Sequence, residues 1–256
     1  MGWTAWCEQL LIQAQGGSAL GPWAELNKDF YQAFVQEGRW KMYLEGVGNT
    51  LKVAVLALML GVALGLLVAM ARTFHDQQRE ERPGFLLGIL NGICKVYTTV
   101  IRGTPMMVQL LIMAFVVFKS SRNLVGVAAL AFGINSGAYV AEIIRGGLMS
   151  VDAGQMEAGR SLGLNYIQTM RHIIIPQAVK NILPALGNEL ITLLKETSIV
   201  TVIGLRDLTK AAQLVTSKTY GGFMALFGVA LVYLAMVMVL SWLMGRLERR
   251  LRSSER

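Results

Sequence analysis

Apolar positions along this chain come in long blocks separated by short polar stretches, not in a short alternating period. Val53–Ala71 (VAVLALMLGVALGLLVAMA) carries no charge over a length that crosses a bilayer, and Lys52 at its edge can snorkel to the headgroups. Phe85–Phe118 is apolar apart from Asn91, Lys95, Arg102 and a few hydroxyls. As one straight helix it would be roughly 50 Å long, too long for one upright crossing. The stretch 102-RGTP-105 interrupts it, and this chemistry predicts one broken or strongly kinked span. Asn123–Ala141 predicts a third span, Asn181–Gly204 a fourth that contains Glu189, Lys195 and Glu196, and Gly222–Gly245 a fifth.

Composition agrees with the blocks: 54% of residues are hydrophobic and 16% charged, against about a quarter charged in soluble domains. The pattern predicts an all-α, polytopic integral membrane protein with about five transmembrane helices. Before the first span, Phe30, Phe34, Trp40 and Tyr43 recur among charges over 23–50, as in an amphipathic helix lying in the interface or in a polar leader with scattered aromatics. The extreme N-terminus has no basic region ahead of its apolar part, so it makes a poor signal peptide. Residues 1–47 are read as a leader, 48–247 as the transmembrane domain and 248–256 as a basic tail.

Five crossings put the termini on opposite sides. The 72–84 loop, the 145–180 insert and the C-terminal tail carry 12 Lys/Arg, against 8 spread over residues 1–48, 119–122 and 205–221. The positive-inside rule then puts the insert and the C-terminus in the cytoplasm and the N-terminus outside. The net charge of +8 is dispersed between apolar runs, which argues against nucleic acid and for headgroup anchoring by the tail arginines. Cys7 and Cys94 suggest no disulfide framework, and His75 and His172 stand apart from each other, so no metal site is expected.

One helix-capable stretch is too polar for any bilayer: 154-GQMEAGRSLGLNYIQTMRHIIIPQA-178. Met156, Leu162, Tyr166, Met170 and Ile173 recur at near-helical spacing, and Gly163-Leu-Asn predicts a sharp turn between two short helices. Pro176 suits the first turn of the helix that follows. The pattern fits either a docking surface for a soluble partner or a solvated loop. In the spans, ionisable groups mark a pathway by default or pair structurally. Asn188, Thr192 and Lys195 share one helix face, with Glu189 and Glu196 on the neighbouring one. Thr104 and Gln109, with Arg102, surround the break, and Asn135 and Tyr139 lie at i and i+4; all could line a cavity or hold helices together. Glu142 and Arg145, at i and i+3, read as an ion pair.

Glu157-Ala158-Gly159, Gly163 and Ile173-Ile-Ile-Pro176 resemble the "EAA, three residues, G, nine residues, I-x-L-P" signature of ATP-binding-cassette importer permeases. Gly159 stands for the second alanine and Ile175 for leucine. The stretches 102-RGTPMMVQL-110, 138-AYVAEIIRGG-147, 184-PALGNELITLLKETS-198 and the closing LERRL extend the resemblance over about residues 45–250, and together they are similar to the permeases for polar amino acids. The resemblance implies that the insert (152–176) is a cytoplasmic coupling helix docked on an ATPase dimer, with Glu157, Ala158, Gly159, Gly163, Ile173 and Pro176 at or near the contact. It also implies a second permease subunit, identical or homologous, and an extracellular or periplasmic amino-acid-binding protein, in a bacterial plasma membrane. With no GxxxxGK[ST] loop in the chain, ATP and magnesium are expected on the partner, and the chain is not expected to be an enzyme. An ion-coupled secondary transporter or channel is the alternative function, and a membrane scaffold a third.

Overall fold

The computed structural model describes residues 2–77 and 84–252. The expected arginines of the 72–84 loop beyond Arg72, and the end of the basic tail, lie outside these residues. The chain divides into two compact units: one runs to Leu51 and resumes over Ser198–Met236, and the other takes Lys52–Thr197 and begins again at Val237.

In the first unit, α1 (Trp3–Gln15) and α2 (Pro22–Phe30) form a helical hairpin. Gly17, at φ 79°, turns the chain between them. Trp3 Nε1 donates to Asn27 Oδ1 at 3.1 Å, and the Tyr31 hydroxyl donates to Glu8 at 3.0 Å. The expected single helix over 23–50 is in fact broken. Glu37 (φ 56°) and Gly38 (φ 67°) take left-handed angles, and α3 (Trp40–Gln77) begins just beyond them. The break turns Phe34 and Tyr43 into a shared core at 5.1 Å between ring centroids, while Trp23, Phe30 and Trp40 stay exposed. The stretch 205–221, between the expected fourth and fifth spans, contains α10 (Leu208–Thr219). Its small stripe of Leu208, Ala211, Ala212 and Val215 packs on Ala33, Tyr43, Ala225 and Val229. Asp207 caps α10 by accepting from the backbone N–H of Thr209 (3.0 Å) and Lys210 (2.9 Å). Burial raises its carboxyl pKa, and these N–H donors oppose the shift.

In the second unit, α4 (Phe85–Gly103) ends at Thr104, whose backbone is extended, and α5 (Met106–Ile112) restarts after Pro105, as the 102-RGTP-105 chemistry predicts. A π-helical turn, Met113–Val117, prolongs α5. α6 (Leu124–Met149) runs past the expected end at Ala141, because Glu142 is neutralised by both Arg72 and Arg145 and so need not end the helix. α7 (Ala153–Ser161), α8 (Tyr166–Thr169) and α9 (Ile175–Glu196) follow, and α11 (Gly222–Arg252), the last described helix, belongs to the first unit up to Met236 and to the second from Val237.

Among the described residues, Trp40–Asp76, Phe85–Gly103, Leu124–Met149 and Gly222–Leu251 are long and apolar enough to cross a membrane. α9, the expected fourth span, is helical but falls outside this set, since Gln177, Lys180, Asn181 and Asn188 lower its hydropathy along with Glu189, Lys195 and Glu196. α3 and α6 meet through two small-residue pairs. A Cβ on Gly61 would come within 2.8 Å of Ser136 Oγ, and one on Gly65 within 2.6 Å of Val140 Cγ1. From the other side, a Cβ on Gly133 would meet Leu60 at 2.6 Å, and one on Gly137 would meet Leu64 at 3.0 Å.

Candidate functional site

The polar insert is two short helices about a glycine turn. Asp152 caps α7 by accepting from Gly154 N–H at 2.7 Å. Gly163, at φ 84°, reverses the chain, and Leu164 N–H closes on Gly159 O at 3.2 Å. Asn165 and Gln168 then form a reciprocal capping box at 2.9 Å each. From there the chain stays helical into α9, through a π-helical turn at Met170–Ile174. Pro176 therefore sits in the first turn of α9, as its chemistry predicts, without a break ahead of it. The wider turn accommodates the N–H that proline lacks.

The six residues of the signature divide into two groups. Glu157, Ala158, Gly163 and Pro176 are exposed. Gly159 is buried, with Thr169 and Ile173 packed against its α-carbon. Leu162 and Ile167, 80% and 73% exposed, flank the turn with apolar surface. Burial pushes the Tyr166 phenol pKa up. On the spans' side, Asn181 donates to Ser150 Oγ at 2.8 Å, fixing the start of α9 to the end of α6.

The intramembrane residues form two groups. At the helix break, Gln109 Nε2 donates to Ile101 O (2.8 Å) and Thr104 Oγ1 (2.7 Å), and the Gln109 carbonyl accepts from Asn135 at 3.1 Å. Thr104 donates to Val100 O at 2.9 Å, and Arg102 lies 5.3 Å from the centroid of the Tyr139 ring. These side chains close the carbonyls that the missing turn leaves open. On α9, Asn188, Thr192 and Lys195 are exposed in a line, while Glu189 and Glu196 are half-buried on the neighbouring face. Ser136, fully buried on α6, donates to Glu189 at 2.7 Å. The expected ion pair between Glu142 and Arg145 is present at 2.9 Å.

Ser136 and Arg72 were not singled out by sequence. Ser136 is one hydroxyl in an apolar run, and Arg72 lies 70 residues from Glu142. The Gly61/Gly65 and Gly133/Gly137 pairs did carry a signal, the small-xxx-small spacing of membrane helix contacts.

Residues 84–253 match the family described as "Binding-protein-dependent transport system inner membrane component". The chain is 39% identical over 221 residues to the arginine transport system permease protein ArtQ of Bacillus subtilis (strain 168), covering 83% of this chain and 93% of that one. It is 37% identical over 215 residues to the glutamine transport system permease protein GlnP of Escherichia coli (strain K12), covering 82% and 93%. A crystal structure of an amino acid ABC transporter with histidines is 42% identical and superposes with TM-score 0.74 over 82% of this chain and 94% of that one. The inward-facing MetNI methionine ABC transporter, at 19% identity and TM-score 0.67, shares the fold. The chain belongs to the binding-protein-dependent transport family of inner membrane components, as a multi-pass permease subunit of an ATP-binding-cassette importer that works with an ATPase and a substrate-binding protein.

Proposed function

We infer that this permease carries a polar amino acid into the cytoplasm, and that α9 presents the face along which it passes. The exposed line of Asn188, Thr192 and Lys195 is the observation that carries this reading. An amide, a hydroxyl and an ammonium cannot face acyl chains at low cost, so they face water or another subunit. With Glu189 and Glu196 on the neighbouring face, both signs of charge lie within reach of a zwitterion. Thr104, Gln109, Asn135 and Tyr139 contribute by holding the broken span open. The arginine and glutamine permeases among the relatives, and the amino acid transporter among the structures, support the same substrate class.

In this reading α9 is the fourth of five crossings, the insert and C-terminus are cytoplasmic, and the N-terminus is extracytoplasmic. Two permease subunits, identical or homologous, sit on two ATPase subunits that hold ATP and magnesium. Glu157, Ala158 and Gly163 meet the ATPase at the exposed turn, Gly159 and Ile173 hold the turn's shape, and Pro176 directs the chain into α9. Nucleotide-driven closure of the ATPases rocks the spans through this contact.

The test is ATPase activity of the reconstituted complex, with its binding protein, across a panel of amino acids. Stimulation by a polar amino acid, abolished by Glu157→Lys at equal protein level, is the expected result. Activity indifferent to Glu157 would remove the insert as the coupling surface, and a panel without any stimulant would remove the substrate class.

A further inference from the structure

α3, α6, α8 and α9 leave between them a groove of about 550 Å³. Its walls are apolar side chains, among them Leu66, Met70, Phe74, Ile167, Val179 and Leu186. All but Leu186 are exposed, so the groove is open along its side. Along α9 it runs from Ile175 to Leu186, roughly 16 Å of helix axis. That is close to half of the ~30 Å hydrocarbon core, the depth of one leaflet.

The two ends of the groove differ. Leu66, Leu183 and Leu186 line it deep among the spans, while Thr73, Tyr166 and Arg171 line it beside the insert. Among the described residues Arg171 is the one charged member of the lining, while Asp76 and Asp152 line the adjoining cleft on the other side of Thr73 and Met170. A polar solute would find no partners deeper in, and a wholly apolar one would leave the guanidinium unused. A molecule with an anionic head and a long apolar tail matches both ends. A guanidinium engages a phosphodiester through paired charge-assisted hydrogen bonds.

We propose that the groove holds one acyl chain of a glycerophospholipid from the leaflet on the insert's side, with the phosphodiester on Arg171. The chain packs between α3 and α9 and against Tyr166, Ile167 and Met170 of the insert's second half. It joins the insert to the spans and stiffens that attachment, so lipid in the groove strengthens transmission of movement between them. The site is separate from the α9 face assigned to the transported solute.

The full-length chain, purified in detergent with its ATPase, is taken through repeated detergent exchange, and the phospholipid left per chain is measured by mass spectrometry. Wild type is expected to keep a phospholipid that Arg171→Ala binds about tenfold more weakly, the weight of one charge-assisted contact. Val179→Trp, which fills the groove, is expected to exclude it. Arg171→Lys retains part of the binding, and Val96→Trp, on the exposed apolar side of α4, retains all of it. Equal lipid in all five proteins, or none in the wild type, would overturn the proposal. A disulfide between two Val179→Cys chains in the assembled transporter would also overturn it, by giving the groove to a second copy.

Discussion

Gly159 has no room for a methyl group. A Cβ there would stand 2.6 Å from Thr169 Cγ2, 2.9 Å from its Oγ1 and 3.1 Å from Ile173 Cδ1. Thr169 cannot swing aside freely, since it is fully buried and its hydroxyl is tied to Asn165 O at 3.0 Å. The importer signature carries alanine at this place, so glycine here and the threonine opposite are complementary in size. Gly159→Ala is expected to cost about 1–3 kcal/mol by overpacking, read as a lower melting temperature of the purified complex. Thr169→Ser removes Cγ2 and should restore part of the loss; a Gly159→Ala protein that melts with the wild type would show that α7 and α8 separate freely. Gln109 poses a different question, whether it serves the solute or the helix break. Its amide hydrogens are spent on Ile101 O and Thr104 Oγ1, and its oxygen on Asn135. Gln109→Leu leaves these groups unpaired at membrane depth, at about 1–3 kcal/mol. The expected result is lower stability with an unchanged KM for transport, and a raised KM at unchanged stability would put Gln109 on the solute instead.

At the scale of elements, the seam between α3 and α6 is set by where side chains are missing. A Cβ on Gly65 would approach not only Val140 but the backbone nitrogen of Ala141, at 2.9 Å, so α6 itself would have to move. Gly88 on α4 has nothing within 4 Å of its would-be Cβ. Gly65→Ala is therefore expected to lower the melting temperature, while Gly88→Ala holds or raises it, since alanine gains up to about 1 kcal/mol over glycine within a helix. Equal effects at the two sites would mean that helix propensity, not the seam, governs both. The same contrast explains what could be read in advance. The break at Thr104-Pro105 and the turn at Gly163 are local chemistry, carried by residues whose backbone preferences act on the spot. The glycine pairs were visible as a spacing, but the spacing does not say which helix they meet. α10 escaped because its buried stripe is half alanine in a stretch that is polar on average. The kink at Glu37–Gly38 escaped because the aromatic pattern continues through it, and the links from Glu142 to Arg72 and from Glu189 to Ser136 join residues far apart in sequence.

For the whole molecule, the decisive surface is the one whose chemistry fits neither lipid nor core. The apolar spans leave large side chains exposed, as Ile93 on α4 does at 61%, and these suit acyl chains. α9 differs, with Asn188, Thr192 and Lys195 exposed along one line, the carboxylates of Glu189 and Glu196 half-buried beside it, and Leu193 and Leu194 buried on the far side. If α9 presents the solute pathway, as proposed, such a line is wet in at least one of the two openings between which the permease rocks. Thr192→Cys in the assembled transporter should therefore react with a charged, membrane-impermeant maleimide, whereas Ile93→Cys should not. Background is low because Cys7 and Cys94 are both buried. The transported amino acid should slow labelling at residue 192, and trapping the ATPases in their nucleotide-bound state should change its rate from one side of the membrane. Labelling at 192 no faster than at 93, in every state, would mean that the polar line is sealed in a contact between subunits, and the solute pathway would then have to be sought away from α9.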